Sequence, residues 1–189
     1  MKVIVAGEIP LVDEIGRLCR QTAHETAIYL VEDFLGALEA GYALEQLADV
    51  EIAIEAHNES AAAKQELLLA MGTYLSPDAL ILTSALATSA TQAAAWVARP
   101  ERVVGFGALP PMADGGIIEL ARALQTAESA LVQAELFWRG LGQETILVTD
   151  GPGLVRARTV CCVINEAAGM LMEGVASAAD IDKAMRLGA

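Results

Sequence analysis

The chain has 189 residues, 54% of them hydrophobic, which is enough for one folded core. Its 12 basic and 25 acidic residues give a formal net charge of -13, which opposes binding to nucleic acid and to anionic membrane surfaces. The sequence lacks a signal-peptide core, an apolar stretch of about 18 residues and any metal-ligand spacing, so we predict a cytoplasmic protein without a metal site.

The first third of the chain alternates between strand and helix patterns. A β-branched run ends at a glycine and precedes apolar residues at helical spacing, which is typical of a strand, a turn and a helix. The predicted segments are a strand at Lys2–Ala6, a helix at Leu11–Arg20, a strand at Thr26–Val31 that ends in Glu32 and Asp33, a helix around Leu35–Leu47 and a strand at Val50–Ala56.

The middle of the chain continues this alternation as far as residue 150. We therefore predict a Rossmann-like, mostly parallel sheet with helices on both faces over residues 1–150. The predicted helices are Ser60–Met71, Ser89–Ala98 and Thr126–Leu141, and the predicted strands are Ala79–Thr83, Arg102–Phe106, Gly115–Leu120 and Thr145–Val148.

A Gly-Pro-Gly sequence at residues 151–153 marks the predicted domain boundary, and a short helical arm follows over residues 151–189. Its first helix, Val155–Glu173, is apolar around most of its circumference and is predicted to be buried, with Cys161 and Cys162 as core residues. A second helix at Ala178–Arg186 is too short to cover that surface, so we predict a truncated arm that forms a homodimer.

Several strings, taken in order, are similar to the 3-hydroxyacyl-CoA dehydrogenase family, in which an NAD-binding domain precedes an all-helical domain. This resemblance implies a role in the metabolism of fatty acids and their coenzyme A thioesters. The strings are Ile54-Glu55-Ala56 with Glu59 and Lys64, Arg99-Pro100-Glu101-Arg102-Val103-Val104-Gly105, Asp150-Gly151-Pro152-Gly153, Asn165-Glu166-Ala167 with Glu173-Gly174, and Ile181-Asp182-Lys183-Ala184.

The resemblance also shows that the catalytic positions have changed. Leu86 stands where the family has a substrate-contacting serine, Gly107 where it has the general-base histidine, and Ala157 where it has an asparagine. Glu119 corresponds to the acid that orients that histidine, and Arg158 keeps the family arginine. Since hydride transfer from an alcohol requires a base, these changes predict a catalytically degenerate site.

The loop that binds the cofactor phosphates in the family has also changed in this chain. The family's Gly-x-Gly-x-x-Gly pattern falls on Gly7 to Val12 and keeps only Gly7. Glu8 adds a negative charge, Ile9 adds a branched side chain and Pro10 removes an amide donor. The resemblance implies NAD as cofactor, and these substitutions predict that its binding is impaired.

The candidate cofactor-binding residues are Gly7, Glu32, Glu55 and Lys64. Glu32 or the adjacent Asp33 either holds an adenosine ribose or is a solvated acid at a strand end. Lys64 either lies near the ligand or only adds solubility to an alanine-rich helix. His57 is either a relocated catalytic base or a surface-loop residue.

Three functional hypotheses follow. The first is a catalytically degenerate dimer that binds a nucleotide-like or acyl-CoA-like ligand, or a protein partner. The second is a working NAD-dependent oxidoreductase with a different base, such as His57 or a group from the second subunit. The third is a structural dimer subunit whose cleft is filled by side chains such as Leu86 and Ile9.

Overall fold

The computed structural model describes residues 1–41, 47 and 49–188. Strands and helices alternate from the N-terminus, and the last two helices follow the sheet. The strands are β1 (Lys2–Gly7), β2 (Glu25–Leu30), β3 (Ile52–Ala56), β4 (Leu80–Ser84), β5 (Val103–Gly107), β6 (Ile117–Ala121) and β7 (Glu144–Val148). The helices are α1 (Leu11–Gln21), α2 (Val31–Glu39), α3 (Ala61–Tyr74), α4 (Ala90–Ala95), α5 (Glu128–Gly140), α6 (Arg156–Met172) and α7 (Ala178–Gly188).

All seven strands form one sheet in the order β2-β1-β3-β4-β5-β6-β7. Strands β1 to β5 pair in parallel, β6 runs antiparallel to β5, and β7 is parallel to β6. The predicted Rossmann-like, mostly parallel sheet is confirmed. Because β2 and β3 lie on opposite sides of β1, the strand order reverses there, and the carboxyl ends of β1 and β3 border a crevice.

Buried apolar side chains cover both faces of the sheet, which explains why its central strands are hydrophobic at nearly every position. On one face α1 and α5 contribute residues such as Ile15 and Trp138. On the other face α2, α3 and α4 contribute residues such as Phe34, Met71 and Ala93. These two layers hold the ends of β1, β3 and β5 in fixed positions.

Strand β2 ends earlier than predicted. It stops at Leu30, and Glu32 and Asp33 lie in the first turn of α2 rather than at the strand end. Carboxylates are favourable in a first helical turn because the helix dipole is positive there. The predicted helix Leu35–Leu47 overlaps α2, but residues 42–46 and 48 lie outside the described residues.

The long C-terminal helix is not buried within the single chain, so its predicted burial against a second copy stays a prediction. No residue of α6 or α7 is buried, and Cys161 and Cys162 are exposed, because none of the described residues covers the helix pair. Cys19 on α1 is buried, and burial raises the pKa of its thiol to about 12. Among the described residues, no helix combines the length and the apolar character needed to cross a membrane.

Candidate functional site

A cleft opens where β1, β2 and β3 end, next to the reversal in strand order. Open α/β sheets bind ligands at such a reversal. The cleft encloses about 380 Å³, and we call it the β1 cleft. Its lining consists of Gly7, Glu8, Ile9, Leu30, Val31, Glu32, Asp33, His57 and Glu59.

Gly7 holds the ends of β1 and β3 close together. A Cβ atom at this position would overlap the backbone carbonyl group of Ala56, so only glycine fits. The backbone N–H of Glu8 donates a hydrogen bond to the oxygen of Ala56 at 3.1 Å. The one glycine retained from the family loop is therefore required for strand packing, whatever binds in the cleft.

The Glu8 side chain reaches the loop after β3. Its Oε1 accepts hydrogen bonds from the backbone N–H of Asn58 at 3.0 Å and from Asn58 Nδ2 at 3.3 Å. Its Oε2 accepts the backbone N–H of Glu59 at 3.2 Å. The carboxylate thus bridges β1 and the β3–α3 loop.

His57 is only 8% exposed, so its interpretation as a surface-loop residue is wrong. Its Nε2 accepts the backbone N–H of Ser60 at 3.1 Å, which places the proton of the neutral ring on Nδ1. Nδ1 lies 2.9 Å from Oε2 of Glu8, outside hydrogen-bonding geometry. The imidazole therefore rests between the Glu8 carboxylate and the start of α3.

Glu55 and Lys64 form an ion pair beneath the cleft, with side chains that are 0% and 1% exposed. Lys64 Nζ also donates to the carbonyl oxygens of His57 at 3.1 Å and Ser84 at 2.9 Å. Thr83 Oγ1 donates to Glu55 Oε2 at 2.6 Å, and the His57 backbone N–H donates to Oε1 at 2.6 Å. Because Lys64 is buried, the interpretation that it serves only solubility is wrong.

The candidate catalytic position lies at the end of β5, where Gly107 pairs with Glu119 of β6. A Cβ atom on Gly107 would lie 3.0 Å from Glu119 Oε2, so a histidine here would sit beside that carboxylate. The same Cβ would lie 2.8 Å from Leu154 Cδ1. The Leu154 side chain therefore occupies space next to the position that a base would need.

Glu119 binds the N-terminal end of α6. Its Oε1 accepts the backbone N–H groups of Val155 at 3.2 Å and Arg156 at 3.0 Å, and its Oε2 lies 3.3 Å from the Arg156 nitrogen. The side chain is 1% exposed. A buried carboxylate at a helix N-terminus satisfies amide groups that otherwise lack acceptors.

The remaining predicted positions are not brought together into one polar site. Leu86 and Ala157 are half-buried, and Arg158 is exposed. Ile9 is 61% exposed, so the prediction that it fills the cleft is wrong.

Two residues with clear structural roles were not identified from the sequence. Asp150 accepts the backbone N–H groups of Ala90 and Thr91, both at 2.8 Å, and so caps α4 from outside that helix. Leu154 adopts a positive φ of 48°, an unusual conformation for leucine. The position of Asp150 directly before Gly-Pro-Gly could have indicated its role. No local sequence pattern indicates where the Leu154 side chain lies.

Two family models match the chain. The model for the 3-hydroxyacyl-CoA dehydrogenase NAD binding domain matches residues 12–151, and the model for the 3-hydroxyacyl-CoA dehydrogenase C-terminal domain matches residues 153–189. The first match begins after the Gly7–Leu11 loop.

Two curated relatives each share 30% of the aligned residues. A probable 3-hydroxybutyryl-CoA dehydrogenase of Bacillus subtilis is 30% identical over 84% of this chain and 55% of its own length. The 3-hydroxybutyryl-CoA dehydrogenase of Bradyrhizobium diazoefficiens is 30% identical over 92% of this chain and 60% of its own length. The chain thus spans little more than half the length of these relatives.

Solved structures share the fold. The (S)-3-hydroxybutyryl-CoA dehydrogenase PaaH1 of Ralstonia eutropha superposes with a TM-score of 0.79 at 24% identity, covering 99% of this chain and 77% of that one. FadB2 of M. tuberculosis gives a TM-score of 0.82 at 24% identity, covering 98% and 76%.

Proposed function

Since this chain belongs to the 3-hydroxyacyl-CoA dehydrogenase family, we propose that it has kept the dehydrogenase fold and lost the hydride-transfer reaction. The observation that carries this proposal is Gly107, which faces the Glu119 carboxylate without a side chain that can take a proton. A hydroxyacyl dehydrogenase needs a base at the alcohol as hydride leaves for the nicotinamide. Glu119 instead caps α6.

The packing around Gly107 supports the same proposal. Leu154 is only 5% exposed and lies where the side chain of a larger residue 107 would have to pass. Restoring a histidine would therefore require Leu154 to move or to become smaller. The packing at this position thus suits glycine and agrees with the absence of a base there.

The β1 cleft fits poorly with the dinucleotide that the family's NAD-binding domain implies. Four of its nine lining residues are acidic, Glu8, Glu32, Asp33 and Glu59, and none of the nine is lysine or arginine. A pyrophosphate is doubly negative and usually gains from backbone N–H groups at the first helix. Here Pro10 precedes α1 and offers no N–H group, so we propose that NAD binding is weakened.

A working NAD-dependent oxidoreductase is the competing proposal, and the names of the relatives favour it. It requires a base other than residue 107. His57 is the candidate in this chain, although its Nε2 already accepts the Ser60 amide. Turnover that depends on His57 would support this second proposal.

We also propose that the chain forms a homodimer through α6 and α7. The large apolar residues Val160, Ile164, Leu171 and Met172 of α6 are between 46% and 88% exposed in the single chain. Apolar surface of this extent on one helix favours a partner surface.

Turnover and ligand binding distinguish these proposals. Purified chain is mixed with NAD and 3-hydroxyacyl-CoA thioesters of several chain lengths, and NADH formation is followed by absorbance. We expect no NADH above the buffer rate for wild type, for His57→Ala or for the double variant Gly107→Ala with Leu154→Ala. Wild-type turnover that disappears in His57→Ala overturns the proposal.

A gain-of-function variant tests the assignment of residue 107. Gly107→His combined with Leu154→Ala restores a candidate base beside Glu119 and clears the space that it needs.

Thermal unfolding of the wild-type chain with NAD and with coenzyme A separates a ligand-binding protein from a purely structural subunit, because a ligand that binds the native state raises the Tm. No shift with any ligand favours the structural subunit.

A further inference from the structure

We propose that Glu8 determines the ligand specificity of the β1 cleft, closing it to dinucleotides and restricting it to nucleosides without phosphate groups. This inference deepens the proposed function, on which it rests, by naming the class of ligand. The Glu8 carboxylate occupies a group of donors that would otherwise suit a phosphate.

Three hydrogen-bond donors converge on the Glu8 carboxylate. The backbone N–H groups of Asn58 and Glu59 and the Asn58 side-chain amide all point at the carboxylate, within 3.0 to 3.3 Å. Successive backbone N–H groups of this kind make concave sites for anions. In this chain the anion is covalently attached, because it is the side chain of the residue after Gly7.

The position of this carboxylate blocks the path of a dinucleotide. In this fold a dinucleotide crosses the end of β1 at the strand reversal, with its pyrophosphate at the start of the first helix. Glu8 directly follows β1 and its carboxylate reaches the loop after β3, so its negative charge lies in the lining of the cleft that the pyrophosphate would enter. A pyrophosphate would meet a like charge there, with no lysine or arginine in the cleft lining to offset it.

The part of the cleft on the β2 side remains suited to a nucleoside. Glu32 and Asp33 lie in the first turn of α2, where carboxylates can accept hydrogen bonds from a ribose diol. Ile9 and Leu30 are 61% and 43% exposed and offer apolar surface to a base. His57, nine-tenths buried, also lines the cleft, and its Nδ1 lies 2.9 Å from Glu8 Oε2 without a hydrogen bond to any described residue.

Calorimetric titration of the purified chain with adenosine and with ADP-ribose tests the proposal. Wild type should bind adenosine at least about tenfold more tightly than ADP-ribose, and Glu8→Gly should gain at least about tenfold in ADP-ribose affinity with little change for adenosine. Glu8→Gln, which keeps the size and removes the charge, should gain part of that increase. The double variant Glu32→Gln with Asp33→Asn should lose adenosine binding, whereas Glu39→Gln, an exposed acid at the other end of α2, should not.

Two results overturn the proposal. If wild type binds ADP-ribose as tightly as adenosine, or more tightly, Glu8 does not exclude dinucleotides from the cleft. If folded wild type does not bind adenosine, the cleft is not a nucleoside site. If Glu8→Gly fails to fold by circular dichroism, Glu8→Gln decides the first point. Neither result depends on NADH formation, so failure of this inference is distinct from failure of the proposed loss of turnover.

Discussion

At the scale of single residues, the Glu55–Lys64 pair holds the loop that carries His57. Both charges are buried, and the Lys64 ammonium also binds the carbonyl oxygens of His57 and Ser84. Lys64→Met removes the cation and leaves the Glu55 carboxylate buried without a counter-charge. We expect the free energy of unfolding to fall by about 3–5 kcal/mol, measured by urea denaturation.

An exposed cation provides the control for this prediction. Arg20 lies near the end of α1 and is exposed, so Arg20→Met should change the free energy of unfolding by no more than about 0.5 kcal/mol. The double variant Glu55→Gln with Lys64→Met should recover part of the loss, because the unpaired charge is then absent. A decrease in the free energy of unfolding of less than about 1 kcal/mol for Lys64→Met would contradict a buried ion pair.

At the scale of elements, α4 depends on an acid that is distant in sequence. The helix has six residues, too few to be stable alone, and Asp150 accepts its first two N–H groups. We expect Asp150→Ala to cost about 2 kcal/mol of stability because charge-assisted hydrogen bonds at a helix N-terminus are lost. Urea denaturation measures the effect, and a variant of an exposed acid in a turn, Asp49→Ala, is the control.

The intermediate variant makes this prediction more specific. Asp150→Asn keeps one acceptor oxygen and loses the charge, so its free energy of unfolding should lie between the values for wild type and for Asp150→Ala. Equal free energies of unfolding for Asp150→Ala and Asp49→Ala would show that the cap contributes nothing.

The sequence predicted the elements well where local periodicity is strong. The seven strands and the α6–α7 pair follow from patterns of apolar residues and from Gly-Pro-Gly. The end of β2 was misplaced because Glu32 and Asp33 suit a first helical turn as well as a strand end. The contacts of Glu8 with residue 58 and of Leu154 with residue 107 join distant segments, which no local pattern predicts.

At the scale of the whole molecule, the exposed apolar face of α6 leads to the proposed dimer. Cys161 and Cys162 lie on this helix and are exposed in the single chain, whereas Cys19 is buried. If a second copy covers α6, both exposed thiols should react slowly with Ellman's reagent at high protein concentration and faster on dilution. Cys19 should react only after unfolding, since burial raises the pKa of its thiol to about 12.

A charge on the same helix tests the interface directly. Ile164 is 59% exposed in the single chain, and Ile164→Asp would place a carboxylate in an apolar dimer contact. We expect sedimentation equilibrium to give a dimer dissociation constant at least about tenfold higher for this variant than for wild type. Asn165→Asp adds the same charge at the next, already polar position and should have a smaller effect. A wild-type chain that sediments as a monomer at every concentration, with both α6 thiols reacting rapidly, would contradict the dimer, and α6 would then need a different apolar partner.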